Sequence, residues 1–135
     1  MKRILSTALG LTLFAAACAD PVAPPAPTPV SPTISEAFTG TLIQLGSNTH
    51  PFTVQQVGGL KISLSDVSPP ASFTFGVGTQ SLVSCTLISI QKYEPGATAQ
   101  LSGTATTTGQ FCVMVYDAAG TLAEPITYTV NVLHS

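Results

Sequence analysis

Residues 60–77 read LKISLSDVSPPASFTFGV, and this stretch decides the fold. Leucine or isoleucine stands at positions 60, 62 and 64, alternating with Lys and Ser, before the break Ser68-Pro69-Pro70. Phe, Phe and Val then take up the same spacing at positions 73, 75 and 77. Successive side chains of a strand point to opposite faces of a sheet, so each run has one apolar and one polar face. The stretch therefore predicts two strands of antiparallel sheets, each burying one face.

The chain from about residue 38 onward repeats this pattern. Short β-rich runs separated by turn residues predict an all-β domain, an antiparallel β-sandwich of about eight strands. The run FCVMVY at residues 111–116 is apolar on both faces, which indicates a central strand partly covered by a neighbouring loop or by the preceding linker. The predicted strands lie near residues 38–45, 51–57, 60–67, 72–78, 82–91, 98–105, 110–117 and 126–133.

Strand alternation also predicts the core. Apolar residues at period two are expected to face inward, opposite Thr, Ser, Gln and Lys on the other face. The expected core side chains are Phe52, Val54, Leu60, Ile62, Leu64, Phe73, Phe75, Val77, Ile126, Tyr128, Val130 and Val132.

Composition and charge limit the classes of function. Only 7% of the 135 residues are charged while 44% are hydrophobic, a balance that suits strands better than exposed helices. Without the first 17 residues, Lys61 and Lys92 face six carboxylates. Binding a nucleic acid needs a basic stripe, so this acidic balance argues against such a partner.

The N-terminal residues 1–17 have the pattern of a signal peptide. Lys2 and Arg3 form a positive start, residues 4–14 are apolar, and Ala15-Ala16-Ala17 supplies small residues for cleavage. The apolar run is too short for a membrane-spanning helix, which needs about 20 residues. The sequence therefore predicts an exported protein whose leader is removed.

The four residues Ala15-Ala16-Ala17-Cys18 resemble the lipobox of bacterial lipoproteins. The resemblance implies cleavage before Cys18, acylation of its thiol and attachment to membrane lipid, at the outer membrane if the host is diderm. The alternative is ordinary secretion, because Ala17-Cys18-Ala19 also satisfies a small-residue cleavage rule. Cleavage would then fall before Asp20 and give a soluble secreted or periplasmic protein.

Residues 18–36 are predicted to join the anchor to the domain as a disordered linker. This segment holds more than half of the chain's eleven prolines, and proline lacks the amide hydrogen that a helix or an inner strand uses. An extended spacer of this kind would reach about 50 Å, at ~3.1 Å per residue. The folded domain is expected to occupy residues 37–135.

One of the three cysteines, Cys18, lies at the end of the leader, and the other two lie in the predicted domain. An odd count in an exported protein indicates that one cysteine has a separate task, and Cys18 at the end of the leader has it. Cys85 and Cys112 lie in predicted strands and are expected to form a disulfide in an oxidising compartment. A redox-active dithiol is disfavoured because the chain has no C-x-x-C motif.

The domain resembles the bacterial pre-peptidase C-terminal (PPC-like) family. The resemblance rests on the order of its motifs, which include HPFTV at 50–54, GLKISLSDVSP at 59–69, GQFCVMVYD at 109–117 and ITYTVNV at 126–132. It implies a jelly-roll-like sandwich without catalytic activity that assists secretion, stability or attachment to polymers. Some members bind calcium through clustered carboxylates, whereas the acidic residues here are widely spaced.

Two functions remain open from the sequence. The first is a non-catalytic, membrane-anchored lipoprotein that presents a binding or structural domain to an envelope polymer or protein, with no cofactor and no metal. The alternative is a small envelope enzyme or metal-binding protein that uses His50, Asp66, Asp117 and His134. Their spacing matches no zinc motif, and the two aspartates are expected to cap turns at strand ends.

Overall fold

The computed structural model describes residues 23–25 and 33–135. The predicted leader, residues 1–17, and the lipidation site Cys18 lie outside the described residues, as does most of the predicted linker. The described part contains eight strands and no helix, and so no helix that could cross a membrane. The strands are β1 (Ile34–Leu42), β2 (Ser47–Val54), β3 (Gly58–Ser68), β4 (Phe73–Gln80), β5 (Cys85–Tyr93), β6 (Gln100–Ala105), β7 (Gly109–Tyr116) and β8 (Ile126–His134).

The eight strands form two four-stranded antiparallel sheets. One sheet, called sheet A, has the order β1-β8-β3-β6, and the other, sheet B, has the order β2-β7-β4-β5. Most consecutive strands change sheet, which is the arrangement of a jelly roll. The prediction of an all-β, jelly-roll-like sandwich is confirmed. The strand β7 is central in sheet B, as its two apolar faces indicated.

Several strand boundaries differ from the predicted ones by two to four residues; β2, for example, spans Ser47–Val54 where residues 51–57 were predicted. The strand β1 begins at Ile34, three residues before the predicted start of the domain at residue 37. It pairs with β8 from Ile34 opposite His134, so backbone pairing extends the domain into the last residues of the predicted linker, which follow its last proline. The strand β5 begins at Cys85 rather than near residue 82, because residues 81–84 form a turn.

The core lies between the two sheets and follows the predicted alternation. Leu60, Leu64 and Val77 are only partly buried, but the other nine predicted core side chains are fully buried. Leu42, Ala99 and Leu122 are also buried, although no alternation marks them. They lie at strand ends or in loops, where the chain turns back over the open ends of the sandwich.

The predicted disulfide between Cys85 and Cys112 is present, with the two Cα atoms 5.9 Å apart. It joins β5 to β7 although β4 lies between these strands in sheet B. The two cysteines come close because the start of β5 lies over β4. The main chain of Thr86 is on the outer side of Gly78 in β4. A Cβ atom on Gly78 would overlap the carbonyl oxygen of Thr86. Glycine at position 78 therefore lets β5 cross toward β7.

Replacing Gly78 tests this crossing. We expect Gly78→Ala to lower the free energy of unfolding by about 3 kcal/mol or more, because the atoms it meets belong to the backbone and cannot rotate away. The measurement is urea unfolding of the oxidised protein.

Gly103→Ala is the matched control, since Gly103 is also a strand glycine and a Cβ atom there meets nothing within 4 Å. Its effect should stay within about 1 kcal/mol of the wild type. Equal losses in the two variants would contradict the steric role of Gly78.

Candidate functional site

Asp117, one of the four polar residues singled out in the sequence, ties two loops together. Its carboxylate accepts hydrogen bonds from the backbone amides of Leu45, Thr121 and Leu122 at 3.1–3.3 Å. Burial raises the pKa of the Asp117 carboxyl, but the amide hydrogen bonds outweigh it and hold this pKa below the ordinary value of 3.8. Asp117 therefore has the turn-capping role that its place after a strand predicted.

His50 lies at the β1–β2 side of the sandwich, half-buried. Its Nε2 atom is 2.8 Å from the hydroxyl oxygen of Tyr128, and its ring stacks on Phe38. The same hydroxyl accepts a hydrogen bond of 3.0 Å from Asn48 Nδ2. Burial lowers the pKa of His50, which favours the neutral ring. The cluster joins the two sheets by polar contacts within the edge of the core.

His134 and Asp66 lie in two further environments. His134 is buried at the end of β8, and its Nε2 atom is 2.9 Å from a carboxylate oxygen of Glu36. Asp66 is exposed and has a φ of 53°, within a bulge of β3 between Ser65 and Ser68. The expectation that Asp66 ends a strand was therefore wrong, since β3 continues to Ser68 after this bulge.

The structure does not assemble these four side chains into one site. Each contacts a different set of neighbours, and none of the hydrogen bonds or ring contacts in the described part of the chain joins two of them. Within residues 23–25 and 33–135, no group of three His, Cys, Asp or Glu side chains is placed to hold a metal ion. The four side chains therefore do not form the single site that the enzyme or metal-binding alternative needs.

The turn between β4 and β5, residues 81–84, exposes two adjacent apolar side chains. Leu82 is 104% exposed and Val83 is 93% exposed, relative to reference values for the isolated residues. We call this segment, Ser81-Leu82-Val83-Ser84, the apolar tip. Folding removes most large aliphatic side chains from water, so two neighbours left fully outside have no part in the core.

Hydrogen bonds fix the shape of the apolar tip. The amide of Ser81 donates to the carbonyl oxygen of Ser84 at 2.8 Å, and the amide of Ser84 donates to the Ser81 hydroxyl oxygen at 3.1 Å. The Gln80 side chain donates to the carbonyl oxygen of Ser81 at 2.7 Å. The disulfide at Cys85 follows directly and ties this end of the hairpin to β7. Leu82 and Val83 are thus presented on a constrained turn.

The edge strand β5, which follows the tip, also exposes apolar side chains. Ile88 is 70% exposed and Ile90 is 59% exposed on the edge strand β5. No charged residue occurs between Asp66 and Lys92. Rigid, uncharged and apolar surfaces are typical of places where a protein partner binds. The hairpin β4–β5 is the candidate functional site, with the tip as its most exposed part.

Sequence reasoning missed this site. The sequence pattern predicts one strand near residues 82–91, with no break at Leu82 and Val83. The available signal was that Leu82 and Val83 stand side by side between two serines, without the alternation of the other strands. Their exposure became visible only once the turn was placed.

Comparison with solved structures found proteins of similar fold. No family model matches the chain, and the search of curated proteins found no significant match. The crystal structure of Aeromonas hydrophila PliG, a periplasmic lysozyme inhibitor of g-type lysozyme, is similar with a TM-score of 0.51 and 13% sequence identity. The match covers 74% of this chain and 86% of that chain. At this identity the likeness shows a shared fold.

Asp117 gives the fold a defined response to acid. A carboxyl whose pKa is lower in the folded state stabilises the protein fully above its unfolded pKa, near 3.8, and this contribution is lost as the pH falls through the folded pKa. We expect the free energy of unfolding to fall as the pH drops below about 4. Asp117→Asn should flatten this dependence and lower stability at neutral pH by about 2 kcal/mol, because an amide NH₂ cannot accept the backbone hydrogen bonds.

Urea unfolding at a series of pH values measures this effect. The control is Glu124→Gln, which removes an exposed carboxyl from the same loop and should keep the wild-type pH dependence. An Asp117→Asn curve parallel to the wild-type curve would show that another group dominates acid unfolding.

Proposed function

We propose that this protein is an exported, lipid-anchored and non-catalytic jelly roll that binds a protein partner in the cell envelope through the apolar tip. The observation that carries the proposal is the full exposure of Leu82 and Val83 on a hydrogen-bonded turn. Burying such side chains against a partner removes apolar area from water, and the constrained turn loses little conformational freedom on binding.

The fold neighbour suggests a class of partner. PliG, which shares this fold, is a periplasmic lysozyme inhibitor of g-type lysozyme. We propose a lysozyme as the partner of the apolar tip. The tip is a convex, uncharged projection, which suits a concave surface such as the substrate cleft of a glycan-cleaving enzyme.

The N-terminal sequence supports a place at a membrane. The leader of residues 1–17, the Cys18 lipobox and the proline-rich spacer together describe a domain held away from the bilayer on a tether. The resemblance to the PPC-like family, whose members are generally non-catalytic, supports the same role. The dispersed positions of His50, Asp66, Asp117 and His134 favour it over the enzyme alternative.

Binding to lysozymes tests the apolar tip. We expect the purified protein to bind a g-type lysozyme in isothermal titration calorimetry and to slow its cleavage of cell walls. The double variant Leu82→Ser, Val83→Ser should raise the Kd about tenfold or more, because central apolar side chains carry most of the binding free energy at interfaces.

The control is Val57→Ser, since Val57 is 56% exposed in a different loop. It should bind as the wild type does. If no g-type or c-type lysozyme binds, the proposed partner class is wrong. If a lysozyme binds equally well to the tip variant, the apolar tip is not the contact.

Intact-mass measurement tests the anchor. We expect the mature protein, isolated from membranes of an expressing bacterium, to begin at Cys18 and to carry acyl chains. Cys18→Ser should move the protein out of the membrane fraction, because the acylated thiol is the proposed attachment. A soluble wild-type product beginning at Asp20 would contradict lipidation.

A further inference from the structure

The outer face of sheet A has a chemistry opposite to that of the apolar tip. Most side chains that point outward there are short and bear hydroxyl or amide groups. Ala37, Lys61 and Leu133 are exceptions, and Lys61 and Leu133 lie at one end of the face. The polar members include Thr39 and Thr41 on β1, Thr127, Thr129 and Asn131 on β8, Ser63 and Ser65 on β3, and Gln100, Ser102 and Thr104 on β6.

Four threonines form a regular array at the other end of this face. Thr39 pairs with Thr129, and Thr41 pairs with Thr127, on the neighbouring strands β1 and β8. Adjacent strands lie about 4.8 Å apart, and alternate residues of one strand about 6.8 Å apart, so the four hydroxyls occupy a nearly flat rectangle. Ser65 extends the Thr39–Thr129 row onto β3, where it pairs with Thr129.

A bulge places a carboxylate at the border of this array. The strand β3 shifts register between Ser65 and Ser68, and Asp66 within the bulge has a φ of 53°. Residues other than glycine adopt this conformation uncommonly, although Asp is enriched in it, and its free-energy cost must be offset by the surrounding structure. Asp66 and the four threonines line one shallow depression of about 370 Å³ on the surface.

The array has free hydrogen-bonding capacity. The Thr127 hydroxyl donates to the carbonyl oxygen of Ser68 at 3.2 Å. In the described part of the chain, the hydroxyls of Thr39, Thr41 and Thr129 have no such partner. These three groups therefore face solvent with both donor and acceptor functions available.

We propose that this depression is a binding site for a neutral glycan chain. The threonine hydroxyls offer donors and acceptors to sugar hydroxyl and acetamido groups, and the Asp66 carboxylate accepts from sugar hydroxyls. No Lys or Arg side chain lines the depression, so it offers no cation to an anionic ligand. A repeating polymer suits the flat array, because several weak contacts along one chain add to a useful affinity.

Cosedimentation with insoluble chitin and cellulose, two neutral glycans, tests the site. We expect the full-length protein in detergent to sediment with at least one of them. The double variant Thr39→Val, Thr129→Val should reduce the bound fraction at half-saturation about fivefold or more, because it removes two hydroxyls without changing side-chain shape. Valine suits a strand, and an unchanged melting temperature would confirm that the variant is folded.

Two further variants decide between the site and other surfaces. Thr49→Val, Thr86→Val removes two exposed hydroxyls from sheet B and should bind glycan as the wild type does. The tip variant Leu82→Ser, Val83→Ser should also retain glycan binding, so a failure of the proposed partner binding leaves this result intact. Sedimentation with neither glycan, or equal losses in both threonine pairs, would overturn the site.

Discussion

The covalent link between Cys85 and Cys112 is the constraint on which the candidate site depends. It joins two strands that are not neighbours in sheet B, and it does so because Gly78 leaves the outer side of β4 open to the main chain of Thr86. Either feature alone would be ordinary. The disulfide and the open side of Gly78 together fix the start of β5 against β7. The turn before Cys85 therefore projects from a part of the sheet whose strands are covalently held together. Closing a loop across 27 positions also removes freedom from the unfolded chain, which stabilises the fold in the loop-entropy description.

This constraint explains how a small domain keeps apolar side chains outside its core. Leu82 and Val83 contribute nothing to folding through burial, and the core from Phe52, Phe75, Val113 and the inner face of β8 is complete without them. The opposite sheet presents hydroxyls on its outer face, with the array around Thr39 and Thr129. The domain thus carries two kinds of exposed surface, an apolar turn between β4 and β5 and a polar outer face on sheet A. Two such surfaces would let one domain contact a protein and a polymer at the same time, as the two proposals require.

The polar residues show how far sequence reasoning reaches. Asp117 was expected to cap a turn because it follows a strand, and it does so by accepting a hydrogen bond from the nearby Thr121 amide. Asp66 was expected to do the same, but a register shift in β3 gave it a positive φ inside the strand. His50 and His134 found their partners, Tyr128 and Glu36, on strands distant in sequence. Pairing between strands supplied those partners, and no motif of adjacent residues encodes it.

The sequence by itself determined the class of fold, most of the core and the disulfide. These follow from local rules, since alternation at period two assigns each side chain to a face, and two strand cysteines in a chain with a predicted export leader are expected to pair. Only the tertiary structure decided that Leu82 and Val83 lie fully outside, that β5 crosses Gly78, and that four threonines from β1 and β8 form one array. Each of these depends on register and on which strands become neighbours. Such facts are set by the packing of the whole sandwich, because a shift of one residue would send every side chain of a strand to the opposite face.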